Sequence, residues 1–176
     1  MREELGGAEP GDEVQPAGGA EWARLGPGAD EGGVDMEGME AALSDITHQI
    51  FDLMLQLEVA RCGAAELAGI GVESCPIVAG IVHIDGAWAG SVSFECSEAL
   101  ARRAASILFG TDPEETDAEL VREAVGEMAN VAGGNVKTLV PEPSRLSVPT
   151  VVEALSEVAT HCGEDEVISA EFACAG

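Results

Sequence analysis

The chain has 176 residues, with 33 acidic and 8 basic side chains and a formal net charge of −25. Nucleic acids and anionic membranes bind to basic surfaces, so this balance argues against both as partners. No stretch approaches the roughly 18 apolar residues of a transmembrane helix, and the N-terminus has no basic region followed by an apolar core, so we expect a cytoplasmic protein.

Residues 1–36 are predicted to form a disordered, acidic, glycine-rich tail. The first 40 positions contain 11 acidic side chains and 10 of the 22 glycines, and Trp22 is their one aromatic residue. Such a segment buries too little apolar surface to offset the entropy lost when it becomes ordered. A docking motif around Trp22 is the alternative to a simple solvating leader. Residues 37–176 are then one folded domain, long enough for a substantial core.

The first half of this domain is predicted to contain a helix and a hairpin. Apolar residues recur at helical spacing from about 38 to 57, and a short strand or turn is expected at 69–73. Residues 77–84 are rich in β-branched side chains and residues 87–96 alternate between apolar and polar, which predicts two antiparallel strands. Asp85 and Gly86 lie between them and are typical of a two-residue turn.

Two helices and two strands are predicted for the second half. Ser97 is expected to start a helix through Leu108, closed by Gly110. Asp112, followed by Pro and then Glu, is expected to cap a long helix ending near Leu139. Residues 146–152 and 166–174 have the pattern of strands. Strands and helices that mix without regular alternation favour an α+β fold, a mostly antiparallel sheet with long helices packed on one face.

The long helix has two different sides at the helical period of about 100° per residue. Its apolar side is formed by Val121, Val125, Met128, Ala132, Val136 and Leu139. Its polar side is formed by Glu123, Glu127, Asn130, Gly134 and Lys137. One side is therefore suited to burial, and the other places a carboxylate and a carboxamide one turn apart.

Three glycines, Gly126, Gly133 and Gly134, flank this polar side. Each costs a helix interior about 1 kcal/mol relative to alanine, so their presence calls for a reason. Either a partner approaches the helix closely beside Glu127 and Asn130, or a helix or strand of the same domain packs against the glycines. Periodicity alone slightly favours the second interpretation.

Cysteines and histidines do not form a recognisable metal or redox site. The cysteines are scattered without Cys-x-x-Cys spacing, at Cys62, Cys75, Cys96, Cys162 and Cys174. In a reducing compartment this is typical of small core residues. The histidines are isolated, and His83 is expected to be half-exposed in its strand. Because no cluster has ligand spacing, we predict no metal or cofactor of the domain's own.

The segment from Glu127 to Lys137 (EMANVAGGNVK) resembles the signature helix of the CheX-like chemotaxis phosphatases, relatives of CheC and FliY. The family pattern is Glu-x-x-Asn followed by Gly-Asn, with Asp or Ser four residues before the Glu, where this chain has Glu123. The segments that begin at Ile46 and Val78 resemble the family's first helix and hairpin. Ser147–Pro149 resembles its Ser-x-Pro strand, and the likeness spans roughly residues 39–174.

The resemblance implies hydrolysis of the aspartyl phosphate of a CheY-type response-regulator receiver domain, and a homodimer. It implies that Asn130 orients the attacking water and that Glu127 pairs with a lysine of the receiver. Mg²⁺ is expected on the receiver. The further residues predicted to contact this partner are Glu123, Gly126, Gly134 and Lys137.

Two other functions are consistent with the same residues. A non-catalytic interaction domain would dock a receiver through the same helix without accelerating hydrolysis. Glu123 and the presence of a single Glu-x-x-Asn helix support that reading. A structural subunit of a motor or signalling assembly is supported only by kinship with flagellar-switch relatives.

Overall fold

The computed structural model of the chain describes residues 36–62, 76–155 and 168–174. Residues 1–35, which make up nearly all of the predicted tail, lie outside the described residues. The strand or turn predicted at 69–73 and the start of the strand predicted at 166–174 also lie outside them. The division into tail and domain therefore stays a prediction.

The first helix is close to its predicted limits. Helix α1 covers Met36–Gln49 and continues as a π-helical segment, Ile50–Leu55. It ends at Gln56, which adopts a left-handed conformation with φ 53°. Strand β1, Val59–Cys62, follows and pairs antiparallel with the last strand, β6, Glu171–Cys174.

A second, larger antiparallel sheet is built around one long strand. Strand β2, Pro76–Gly86, pairs on one side with β3, Gly90–Ser97. On its other side it pairs with two short strands, β4, Ser144–Leu146, and β5, Thr150–Leu155. The central strand therefore has partners along both edges.

The predicted two-residue turn at Asp85 and Gly86 is wrong. Both residues belong to β2, where they pair with Arg145 and Ser144 of β4. The chain instead reverses over residues 87–89, because Ile84 is the last residue of β2 that pairs with β3. Strand β4 supplies hydrogen-bonding partners beyond the end of β3, so β2 continues past the point where local sequence suggested a turn.

The single strand predicted over 146–152 is also wrong, because it is interrupted at Ser147–Pro149. The Ser147 side chain accepts a hydrogen bond from the His83 N–H, and the Ser147 N–H donates to the His83 carbonyl, both at 2.9 Å. Ile81 pairs with Thr150, so the strand shifts register by one residue across this corner. Pro149 has no N–H for the ladder, which favours a bulge here. His83 itself is partly buried, as predicted.

Helix α2, Glu98–Phe109, confirms the predicted start and end signals. The Ser97 side chain accepts a hydrogen bond from the Leu100 N–H at 3.2 Å, and Gly110 closes the helix with φ 65°. Glycine reaches this left-handed region without the steric cost that a side chain would add.

Helix α3, Ala118–Lys137, begins later than predicted. The predicted cap, Asp112, instead lies in a turn, where its carbonyl accepts hydrogen bonds from the Glu115 N–H and the Thr116 hydroxyl. Asp117 is the cap, and its carboxylate accepts from the Glu119 and Leu120 N–H groups at 3.0 and 2.9 Å. Buried Thr116 holds the preceding turn outside the helix.

Helix α3 packs across one face of the larger sheet. The contact is close at Gly80 of β2, where a Cβ would lie 2.8 Å from both the Ala129 Cβ and the Val125 carbonyl oxygen. Five of the six residues predicted for the apolar side of the helix are buried: Val121, Val125, Met128, Ala132 and Val136. Leu139 is the exception at 47% exposed, because the helix ends at Lys137 and Leu139 leaves its periodicity.

This arrangement confirms the predicted α+β fold with antiparallel sheets and packed helices. Among the described residues, no helix is both long enough and apolar enough to span a membrane.

Candidate functional site

The predicted polar side of α3 is on the surface. Glu123 and Glu127 are exposed, whereas Asn130, Gly134 and Lys137 are partly exposed. Residues three and four apart are neighbours on a helix, and the rise of about 1.5 Å per residue separates the backbones of Glu127 and Asn130 by about 4.5 Å along the axis. The helix therefore presents the carboxylate and the carboxamide side by side.

The side chains of Glu127 and Asn130 form no hydrogen bond or ion pair with the part of the chain that the structure describes. Asn135, five residues further on, differs, because its Nδ2 donates to the Val131 carbonyl at 2.9 Å. Asn135 is thus a structural residue. With respect to residues 36–62, 76–155 and 168–174, the polar groups of Glu127 and Asn130 are therefore available to a partner.

The three glycines of α3 were interpreted either as sites of packing within the domain or as sites of close approach for a partner, and neither interpretation fits all three. A Cβ on Gly133 would lie 2.3 Å from the Val82 Cγ2, so strand β2 requires glycine there. Gly126 is buried, and a Cβ there would lie 3.5 Å from the Val151 Cγ2. Gly126 was predicted to contact a partner, but it is covered by Val151 of the same chain instead. A Cβ on Gly134 would meet nothing within 4 Å in the described structure, so the surface there is open.

The exposed side of α3 is predominantly acidic. Glu119, Glu123 and Glu127 are exposed along it, and Lys137 lies partly exposed at its C-terminal end. On the edge nearest β5, Arg122 pairs with Glu153 at 3.2 Å. Within the described ranges, no group of three or more His, Cys, Asp or Glu side chains is arranged to hold a metal ion. That the domain needs no metal or cofactor of its own stays a prediction.

The cysteines in the described ranges are not arranged for nucleophilic chemistry. Cys96 is buried, and burial raises the pKa of its thiol to about 12, which keeps the thiol protonated at neutral pH. Cys62 and Cys174 are partly buried in strands β1 and β6. Cys75 and Cys162 lie outside the described residues.

Sequence reasoning missed the corner at Ser147–Pro149, which packs beside the site helix. A Cβ on Gly126 would lie 3.8 Å from the Pro149 Cγ, so this corner adjoins the edge of α3. Between the two flanking residues, Val148 is 84% exposed. The available signal was an apolar residue between a Ser and a Pro, a context that interrupts a strand.

Fold and site together describe an α+β domain with an exposed carboxylate and carboxamide on its longest helix. The sequence profile of the family described as "Chemotaxis phosphatase CheX" matches residues 78–173, which is more than half of the chain and includes Glu127 and Asn130. This protein therefore belongs to the CheX family. No curated protein sequence matches the chain.

Several solved structures share the fold. Chemotaxis protein CheX from Vibrio vulnificus is 21% identical, with a TM-score of 0.60 over 75% of this chain and 85% of that one. A CheC-like superfamily protein from Shewanella is 19% identical, with a TM-score of 0.56 over 80% and 95%. A CheX–CheY–BeF3–Mg²⁺ complex from Borrelia burgdorferi matches at 20% identity, with a TM-score of 0.54 over 81% and 91%. At these identities, the likeness establishes the fold.

Proposed function

We propose that this protein hydrolyses the aspartyl phosphate of a CheY-type receiver domain. The observation that carries the proposal is the pair Glu127 and Asn130, unpaired within the described structure, in the region that matches the chemotaxis phosphatase family. The similar fold of a CheX that was solved in complex with CheY supports a receiver as the partner.

In the proposed reaction, a water oxygen attacks phosphorus in line with the bond to the aspartyl carboxyl oxygen. That bond breaks, which releases inorganic phosphate and restores the aspartate carboxylate. Asn130 offers one carbonyl acceptor and two N–H donors, so its carboxamide can hold the water in line without acting as a base. Such positioning supplies much of what catalysis of phosphoryl transfer requires.

Glu127 is proposed to fix the docking geometry. Its exposed carboxylate, one turn before Asn130, can form a charge-assisted hydrogen bond with a lysine beside the phosphorylated aspartate. Glu123 and Lys137 flank the contact, and the open surface at Gly134 leaves room for the receiver backbone. We expect any Mg²⁺ in the reaction to be held by the receiver rather than by this chain.

The test separates water orientation from docking. Asn130→Ala should abolish accelerated phosphate release and leave binding to the phosphorylated receiver largely intact. Glu127→Ala should also weaken binding by about 1.5–3 kcal/mol, because it removes one partner of a charge-assisted hydrogen bond. Single-turnover phosphate release and a binding titration measure the two effects.

Glu114→Ala is the matched control, because Glu114 is an exposed acid in the turn before α3. It should behave as wild type in both assays. Wild-type rates for both the Asn130 and Glu127 variants would contradict the catalytic proposal.

A non-catalytic receiver-binding domain is the second candidate function. It is favoured by Glu123, a third exposed carboxylate where the family pattern has Asp or Ser. The Glu123 side chain is longer than Asp or Ser and lies one turn before Glu127. Its carboxylate places negative charge near the position where an anionic acyl phosphate would dock. Tight binding of phosphorylated receiver without faster phosphate release, in wild type and in Glu123→Ser, would establish this function instead.

We also propose that the protein is cytoplasmic and forms a homodimer, the oligomeric state that the family resemblance implies. Sedimentation equilibrium over a range of protein concentrations tests the dimer. A single monomeric species at all concentrations would contradict it.

A further inference from the structure

Asn130 has a glycine as its neighbour on one side of α3, both one turn before it and one turn after it. Gly126 is four residues before Asn130 and Gly133 is three residues after it, so both adjoin it on the helix surface. At about 100° per residue, both glycines are rotated from Asn130 in the same direction. Since neither has a side chain, the groups that border Asn130 on this side come from another element.

The chain that leads from β4 into β5 fills the space over these glycines. A Cβ on Gly133 would lie 3.1 Å from the Leu146 Cδ1, and a Cβ on Gly126 would lie 3.8 Å from the Pro149 Cγ. The segment therefore runs antiparallel to α3, with Leu146 over the turn after Asn130 and Pro149 over the turn before it.

The side chains that this segment turns toward the helix are hydrocarbon. Leu146 is paired with Ile84, which is completely buried in the core, and paired residues point to the same face of a sheet. The next residue, Ser147, points to the other face. Its hydroxyl accepts a hydrogen bond from the His83 N–H and donates to the Val148 carbonyl, both at 2.9 Å. The one side-chain hydroxyl of the segment is thus engaged away from Asn130.

The surroundings of Asn130 agree with a hydrocarbon neighbour. Glu123 and Glu127 are exposed, whereas Asn130 is partly buried on the same side of the helix. The Asn130 side chain forms no hydrogen bond with the part of the chain that the structure describes, although the Asn135 carboxamide donates to the Val131 carbonyl. Hydrocarbon groups cover a carboxamide on one side and offer it neither donor nor acceptor.

We propose that Leu146 and Pro149 are positioning residues for the Asn130 carboxamide. They form an apolar wall that restricts the rotation of this side chain and directs its polar atoms toward the docked receiver. This inference rests on the proposed function and adds two residues to it. A restricted carboxamide holds the attacking water in line for a larger fraction of the time. Because the wall does not contact the reacting atoms, its loss should lower kcat and leave receiver binding near the wild-type value.

Val151 offers a matched control for the wall. It also faces α3, since its Cγ2 would lie 3.5 Å from a Cβ on Gly126. Two residues later, Glu153 pairs with Arg122 at 3.2 Å, so the strand continues from Gly126 toward the start of the helix. Val151 therefore supports the same helix on the side of Gly126 that is away from Asn130.

The test compares Leu146→Ala and Pro149→Ala with Val151→Ala, and includes Leu146→Met as the conservative variant. Phosphate release at saturating phosphorylated receiver gives kcat, and a binding titration gives the dissociation constant. Thermal melts report stability. Vicinal NMR couplings report the χ1 angle of Asn130 in the free protein, so this measurement needs neither receiver nor activity.

We expect Leu146→Ala and Pro149→Ala each to lower kcat about three- to tenfold, because the freed carboxamide spends less time in the orientation that holds the water. Val151→Ala should lower the melting temperature as Leu146→Ala does, yet keep the wild-type kcat. Leu146→Met keeps hydrocarbon at this position and should keep kcat as well. The couplings should show one rotamer of Asn130 in wild type and averaging in Leu146→Ala.

The outcomes separate the apolar wall from the proposed function. Equal kcat values for Leu146→Ala and Val151→Ala, or an Asn130 rotamer that stays fixed in Leu146→Ala, would overturn the wall and leave the phosphatase intact. If Leu146→Ala does not fold, Pro149→Ala provides the same comparison, because it removes a partly exposed ring. A wild-type protein that dephosphorylates no receiver would overturn the proposed function, and the couplings would still decide whether the wall restricts Asn130.

Discussion

At the scale of single residues, α3 combines structural and functional positions within a few turns. Strand β2 requires glycine at position 133, the Asn135 side chain donates a hydrogen bond to the helix backbone, and Gly126 is covered by Val151 and Pro149. Glu127 and Asn130 have no such partner among the described residues. The two unpaired polar groups therefore stand out because the positions around them are accounted for by packing.

The glycines yield a prediction that separates packing from partner access. Gly134→Ala should raise the free energy of unfolding by up to about 1 kcal/mol, since alanine is a better helix former and its Cβ meets nothing within 4 Å. Gly133→Ala should lower it by about 1–3 kcal/mol, because its Cβ would overlap the Val82 side chain. Urea denaturation measures both changes.

The same pair tests whether Gly134 keeps the surface clear for a receiver. If it does, Gly134→Ala raises KM while it stabilises the domain. A stabilised variant with an unchanged KM would show that no close approach occurs at this position.

At the scale of helices and strands, the start of α3 decides where the site is placed. Asp117 caps the helix with two hydrogen bonds to backbone N–H groups, whereas Asp112 stabilises the preceding turn. The negative charge of Asp117 also interacts favourably with the N-terminal end of the helix dipole. The cap thus holds the first turn of the helix that carries the site.

Asp117→Ala should destabilise the domain by about 1 kcal/mol, the usual cost of losing an N-cap. Asp112→Ala is the control and should cost less than about 0.5 kcal/mol, as expected for an exposed turn residue. Thermal melts of the two variants make the comparison. Equal losses, or a larger loss at Asp112, would place the cap where the sequence pattern predicted it.

The elements that sequence predicted well are those with local signals at both ends. Helix α2 has Ser97 and Gly110 as its start and end, and both act as expected. The elements that were wrong depend on distant parts of the chain. The break at Ser147 is fixed by His83, 64 residues away, and β2 extends to Gly86 because β4 pairs with it.

The candidate site could be predicted from the sequence because its signal is also local. Glu127 and Asn130 are three residues apart on one helix, so periodicity alone places them together. The corner at Ser147–Pro149 was not accessible, because it depends on a strand bulge and on packing against Gly126.

At the scale of the whole molecule, the net negative charge of the chain affects the approach of a receiver. The chain carries 33 acidic against 8 basic side chains, and the exposed acids of α3 lie within this field. An anionic acyl phosphate approaches against repulsion, which salt screens over a Debye length of about 10 Å at 0.1 M. The proposed contact at Glu127 acts only after that approach.

Raising the salt concentration should therefore leave KM unchanged or lower it modestly, because screening weakens the repulsion between this acidic chain and the anionic acyl phosphate. Phosphate release measured from low to physiological salt, with Mg²⁺ held constant, gives the dependence. A KM that rises steeply with salt in wild type would mean that attraction between opposite charges dominates docking. Lys137, a partly exposed cation on the same side of α3, would then be the residue to test next.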